Sequence, residues 1–416
     1  MADVGTAVQC DEVPGIDPAL VPRLVRGPAA LTHLAFAGAG LPRLWEVIER
    51  PTPTLVDAAA YALDAATIQL LQFQPERAQA LQRQALAIGT LYRVADAMRA
   101  QTTAPLRVLA LLAPGDLMAN TPVDFLTMHL DVRLDVLFVR PDRPLPAVVP
   151  EHDVAFFAAA DGDPALTQRL GRLHAGWPRP ALNNPAGVLR LGREALADAL
   201  RDSPGLVCPP IRRLARTEAA TAALRFPVLV RPVGSHAGHD LARADDAEQL
   251  AAHLATLGCA EVFVSDFVDY RGADGLYRKY RIAFIGGAPM LCHMAVSAHW
   301  MVHYLNAGMA ESAAKRAEEA AAMASFDDGF ARRHATALAA VAEWAGLDYF
   351  QIDCAELPDG RLLLFEADVG GIVHMMDPPD LYPYKLPQMR RVIDAFGAML
   401  AGAAAPSPAG RGRLAA

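Results

Sequence analysis

Between Leu31 and Ala100 the apolar residues recur at helical spacing: Leu31 with Leu34, Leu44 with Val47 and Ile48, Leu63 with Ile68 and Leu71, and Leu81 with Leu86 and Leu91. The spacing predicts three helices. Pro75 and Glu76 suit a helical first turn, because proline gives up no needed hydrogen bond there and an acid favours the positive end. Residues 58–93 read as one helical hairpin of the tetratricopeptide type, a pattern other helical hairpins share. Near Pro105 the texture turns to short apolar runs at 107–113, 134–139 and 153–158, the form of buried parallel strands in an α/β layer. From about Phe226 strands are expected at 226–231, 261–268, 276–285, 289–297, 350–357 and 361–367. Amphipathic helices are expected between them at 245–257, 309–323 and 329–345. The fold class is therefore α/β plus α+β, preceded by an all-α segment. The expected division is 1–100 helical, 105–185 α/β, 186–401 the α+β domain and 402–416 a disordered Ala/Pro/Gly tail.

Composition narrows the function classes. The 416 residues are 53% hydrophobic and 20% charged, as in a globular chain, and no run approaches the roughly 18 apolar residues of a membrane span. Residues 1–28 lack a basic start followed by an apolar run, so a cytoplasmic protein without a signal peptide is expected. Cys10, Cys208, Cys259, Cys292 and Cys354 are odd in number, far apart and without a CxxC pair, which argues against disulfides and structural zinc. A net charge of −8 without basic runs disfavours nucleic acid. Lys279, Lys315 and Lys385 are the only lysines among 38 basic residues, so arginine is expected where other proteins use lysine.

Several segments carry candidate chemistry. Arg231-Pro-Val-Gly-Ser-His-Ala-Gly238 follows a strand and supplies the parts of a loop that folds over phosphates: the glycines Gly234 and Gly238, Ser235, His236 and a guanidinium. An ordinary turn has the same composition. Residues 350–353 and 363–368 are joined by the turn Pro358-Asp-Gly360. Glu366 and Asp368, two apart on one strand, share a face that the hairpin places opposite Asp353. Three converging carboxylates call for protonation, a basic partner or a hard cation such as Mg²⁺ or Mn²⁺. Lys279 and Arg281 likewise share one face of a strand, with His293 across the following one. His299 and His303 have metal-ligand spacing if helical, but no third ligand is evident. With Tyr304, Asn306, His374 and Lys385 they are read instead as lining a polar substrate pocket.

Taken in order, the basic residue, glycine loop, strand 261–268, Lys/Arg strand and Asp…Glu-x-Asp hairpin resemble the ATP-grasp superfamily over roughly residues 105–400. The closest likeness is to its ribosomal-protein glutamate ligase and glutathione synthetase-like members, in a subgroup with tetratricopeptide-like helices in front. The resemblance implies a pre-ATP-grasp domain at 105–185 and an ATP-grasp domain at 186–401. It implies ATP and Mg²⁺ (or Mn²⁺) as cofactors, and ligation of a carboxylate to an amine through an acylphosphate. Arg193, Arg231 and the glycine loop then match phosphate contacts. Asp266, Phe267 and Val268 match the adenine hinge, Asp269 a ribose contact, and Asp353, Glu366 and Asp368 the metal ligands. Arg281 matches the arginine that stabilises the acylphosphate, with Lys279 beside it. The chain departs from the family pattern at Arg231, usually lysine, at Asp368, usually asparagine, and at Lys279, usually an acid. A small-molecule kinase and a nucleotide-sensing scaffold are the alternative readings. Implied partners are small or peptide carboxylates and amines, with a second copy or another protein meeting the N-terminal helices.

Overall fold

The computed structural model describes residues 13–49, 54–95, 104–160, 162–235 and 238–405. The chain forms two compact units. One holds the described residues through Pro185 with Ile372–Met376 and the chain from Ile393; the other holds Ala186–Gly371 and Asp377–Val392.

In the first unit the apolar runs form the expected parallel strands. Its strands are β1 (Gly15–Asp17), β2 (Arg23–Val25), β3 (Leu91–Val94), β4 (Leu106–Leu112), β5 (Val132–Phe138), β6 (Val148–Pro150), β7 (Val154–Phe157) and β8 (Ala181–Leu182). Six of them make a sheet in the order β2-β3-β5-β4-β7-β8, and β1 pairs with β6. β4 is parallel to both β5 and β7, and its segment Val108–Leu111 is buried, as a central strand covered on both faces must be. Four helices, Pro28–Phe36, Leu41–Ile48, Leu55–Leu71 and Pro75–Ile88, replace the three expected. Thr54 and Asp57 form a reciprocal capping box at the start of the third, and Pro75 opens the fourth. Leu31, Leu44, Ile48, Ala65 and Ile68 make a core of their own.

The segment before residue 100 is not all helical. Leu91, expected to close a helix, begins β3, which pairs antiparallel with β5 and parallel with β2. The alternation of half-buried and buried positions in Leu91–Val94 is period two, but four residues are too few to stand out beside a helical run. Buried Asp64 ties the helices to this sheet, accepting from the backbone N–H of Arg26 at 2.9 Å and of Gly27 at 3.1 Å just past β2.

The second unit contains β9 (Leu206–Val207), β10 (Ile211–Ala215), β11 (Val228–Pro232), β12 (Ala242–Ala244), β13 (Glu261–Asp266), β14 (Tyr277–Ile285), β15 (Ala288–Ser297), β16 (Tyr349–Glu356) and β17 (Leu362–Asp368). An antiparallel sheet runs β10-β13-β11-β12, its apolar side closed by the helix Ala247–Thr256 through Leu250 and Leu254. A second sheet runs β15-β14-β16-β17-β9, antiparallel except at its β9 edge. Ile282 and Ile352 bury one of its faces, while Phe284 and Phe350 stack with ring centroids 4.5 Å apart. The expected helix at 329–345 is α-helical only from Ala335, after a π-helical stretch at Asp327–Ala331. A further helix, Lys385–Ala404, covers part of the segment expected to be a disordered tail; 406–416 lies outside the described residues. Cys208, Cys259, Cys292 and Cys354 are free. Among the described residues no helix is long and apolar enough to cross a membrane.

Candidate functional site

Strand alternation gives the five-stranded sheet one charged face. Arg281 on β14 is the register partner of His293 on β15 and of Asp353 on β16, and Asp353 is in turn the partner of Glu366 on β17. His293, Arg281, Asp353 and Glu366 thus form a row across four strands. Lys279 and Asp368 lie two residues along from Arg281 and Glu366 and share that face. The intervening Ile282, Ile352 and Ala367 are buried on the other side.

Asp353 is the hub. Its side chain is 3% exposed and accepts from Arg281 Nε at 2.8 Å and Arg281 NH2 at 2.9 Å, with Lys279 Nζ 2.6 Å away. Burial alone would raise its pKa, but Arg281 and Lys279 hold it well below the usual carboxylate range. Glu366 pairs with Arg193, the first residue of the helix Arg193–Leu200. Burial opposes ionisation of Glu366 too, and Arg193 and Lys279 nevertheless keep its pKa lowered. Asp368 has no ion-pair partner among the described residues, and Arg281 only partly offsets what surrounds it. Burial and the neighbouring Glu366 push it up to about 6, against a 2.8 Å hydrogen bond from the backbone N–H of Gly371.

The glycine-rich loop belongs to the same unit. Arg231, on β11, donates through Nε to Ser235 Oγ at 3.0 Å and through a second N–H to the Ser235 carbonyl. Gly234 and Gly238 have φ of 79° and 73°, the left-handed region that a side chain resists. Burial and nearby Arg193 lower the Arg231 guanidinium to about 10 despite Glu366. Two guanidiniums this close favour an anion between them. His236 lies outside the described residues.

Beyond His293 stands a second polar cluster that the sequence showed only in part. The His293 ring lies 4.7 Å from that of Tyr304, whose hydroxyl donates to Glu319 at 3.0 Å. Glu319 is fully buried, and also accepts from Tyr384 Oη at 2.6 Å and from the Met294 backbone at 3.1 Å. Lys385 is buried too, bonded to Tyr304 Oη, with Glu319 at 3.4 Å and Asp377 at 3.5 Å. Glu319, Asp377 and Tyr384 escaped the sequence reading. An acid on a helix beside half-exposed neighbours carries no mark of burial.

Other expected site residues sit differently. His299 and His303 lie on an irregular stretch, so the helical metal-ligand spacing does not arise. His299 is exposed, while Asn306 Oδ1 accepts from the His303 backbone at 3.1 Å. His374 belongs to the first unit, its ring 6.3 Å from that of Phe36. Asp266 ends β13, and the Phe267 backbone donates to Pro227 at 3.0 Å, with the Arg243 guanidinium 4.3 Å above its ring. Val268 follows, half-buried. Asp269 is paired with Arg271, which occupies the carboxylate expected to meet a ribose.

The residues fit a divalent cation only in part. Among the described residues no three His, Cys, Asp or Glu side chains are arranged to hold a metal ion together. The expected three-carboxylate set is not assembled, because Asp353 gives both oxygens to Arg281 and Lys279. Glu366 and Asp368 do fit. They are two acids on one face whose mutual repulsion a hard cation would relieve.

No family model and no curated protein matches the chain. Among solved structures it is similar to a RimK-domain ATP-grasp protein from Sphaerobacter thermophilus, with 18% identity, 71% of this chain and 99% of that chain covered, and a TM-score of 0.40. It is also similar to the VanG D-Ala:D-Ser ligase from Enterococcus faecalis, with 10% identity, 71% and 100% covered, and a TM-score of 0.45. A third is D-alanyl-alanine synthetase A from Vibrio cholerae, with 11% identity, 73% and 99% covered, and a TM-score of 0.45.

Proposed function

We propose that the chain is an ATP-grasp ligase that uses ATP and a divalent cation to join a carboxylate to an amine. The observation that carries this reading is the charge count on the sheet face and beside it. Four cations, Lys279, Arg281, Arg193 and Arg231, meet three acids, Asp353, Glu366 and Asp368, an excess of one positive charge. An excess of half-buried cations beside a glycine loop suits a triphosphate.

Arg193, Arg231 and the loop N–H groups would bind the phosphates. Glu366 and Asp368 would hold Mg²⁺ or Mn²⁺, which when bound offsets phosphate charge. A substrate carboxylate oxygen attacks the terminal phosphorus and ADP leaves, giving an acylphosphate. The amine then attacks the acyl carbon and phosphate departs. Arg281 and Lys279 face the oxygen on which negative charge grows, a role whose loss typically costs about 10²- to 10³-fold in rate.

The test is incubation with ATP, Mg²⁺ and pooled L- and D-amino acids, with and without hydroxylamine. ADP and phosphate in equal amounts, with a hydroxamate when hydroxylamine is present, support the ligase. ADP with a stable phosphorylated product and no free phosphate identifies a kinase. ATP binding without turnover identifies a nucleotide-sensing scaffold.

A further inference from the structure

Resting on the ligase reading, we propose that His293 is the base that takes the proton from the acceptor amine as it attacks the acylphosphate. Three observations place it there. His293 is the direct register partner of Arg281, on the charged face of the sheet. Its ring packs 4.7 Å from Tyr304, between Arg281 and the Glu319 cluster. Its Nδ1 is buried without a hydrogen-bond partner among the described residues. A buried polar atom left unpaired costs about 1–3 kcal/mol. Inside a site of polar and charged groups, such an atom marks where a ligand completes the hydrogen bonding.

The surroundings fix its protonation state. Arg281 and Lys279 on β14 and Lys385 on the last helix act on the ring, with Asp353 the opposing acid and Glu319 behind Tyr304. Burial first, then Arg281 and Lys385, keep the imidazole neutral, so its lone pair is free at pH 7. The same cations disfavour an ammonium beside them and hold the acceptor as a free amine.

The step balances without an outside reactant. The amine nitrogen forms the C–N bond as the acyl C–O bond to the phosphoryl group breaks, and the electron pair leaves with phosphate. His293 takes one proton from nitrogen and returns it to the departing phosphate, ending unchanged.

Hydroxylamine separates this step from the one before it, because it is neutral at pH 7 and captures acylphosphates without a base. The quantity to measure is the ratio of amide to hydroxamate formed from pooled amino acids, in the wild type and in His293→Gln. We expect the ratio to fall about 100-fold, the low end of general-base catalysis. An unchanged ratio overturns the proposal. A wild type that forms no hydroxamate defeats the ligase reading itself, and this proposal with it. Should His293→Gln fail to fold, the wild type alone decides. A solvent deuterium isotope effect larger on amide than on hydroxamate formation supports the base, and equal effects overturn it.

Discussion

Replacing Asp353 by alanine strands two cations at once. The carboxylate is 3% exposed and holds Arg281 through two hydrogen bonds of 2.8 and 2.9 Å and Lys279 at 2.6 Å. Removing one partner of a buried pair costs about 3–5 kcal/mol, because the charge left behind has neither water nor a counterion. Each kcal/mol lowers Tm by about 2–4 °C in a domain of 150–250 residues, so Asp353→Ala should melt about 6–20 °C below the wild type. Calorimetry at pH 7 measures it. Asp353→Asn keeps the volume and one acceptor and should lose less. Adding Lys279→Met to Asp353→Ala should restore part of the loss, since one stranded cation is removed and residues in contact are not additive. The pH dependence has a defined sign. The folded pKa of Asp353 is lowered, so its stabilisation is complete above the unfolded carboxylate value of about 3.9 and vanishes only in stronger acid. The gap between wild type and variant should therefore be flat from about pH 5 to 8. A Tm drop under about 2 °C would refute the reasoning, showing that Arg281 and Lys279 find other counterions.

Asp368→Asn should act in the opposite direction. With a folded pKa near 6, above the unfolded value, this acid weakens the fold as pH rises from about 4 to 6; the variant should outmelt the wild type at pH 7.5 and match it below pH 4. Identical pH dependence in the two proteins would count against the crowding of Glu366 and Asp368. Gly371→Ala puts a Cβ 2.3 Å from Gln351 Nε2, and overpacking typically costs about 1–3 kcal/mol; an unchanged melting temperature would show that the turn moves freely. Deleting residues 1–103 removes β2 and β3 and bares the edge of β5, so the remaining chain should aggregate on expression; a soluble, cooperatively melting fragment would contradict the sheet order. Lys385→Arg should lower Tm despite keeping the charge, because Tyr304 and Tyr382 stand 3.9 and 5.0 Å from the ammonium and leave no room for a guanidinium; equal melting would contradict that packing.

What the sequence disclosed followed from strict local rules. Lys279 with Arg281, and Glu366 with Asp368, share a face because strand side chains alternate. That held however the strands were ordered. The apolar runs at 107–113, 134–139 and 153–158 became β4, β5 and β7 because a buried central strand permits little else. Long-range choices were not disclosed. Arg193 meets Glu366 across 173 residues, and only the superfamily likeness suggested that it belongs near the phosphates. Glu318 and Glu319 are adjacent acids on one helix. About 100° of rotation sends Glu318 out to an ion pair with Arg278 and Glu319 into full burial under Tyr304 and Tyr384. Nothing in their local sequence distinguishes them.

The placement of the scarce lysines follows from shape. Arg281 lies alongside Asp353 as a fork and takes both oxygens, so a second partner must reach the carboxylate's remaining lone pairs from another direction. A compact ammonium on a flexible stem can, and Lys279 does so from two residues along the same strand. Lys385 meets the same constraint in another form: it fits among Tyr304, Glu319 and Asp377, where a point charge with three rotatable donors reaches each acceptor from one spot. At both positions the ammonium meets an acid that another donor already holds. Asp353 is the shared counterion of Arg281 and Lys279, so drawing one of them away leaves the whole carboxylate to the other and should tighten the pair that remains.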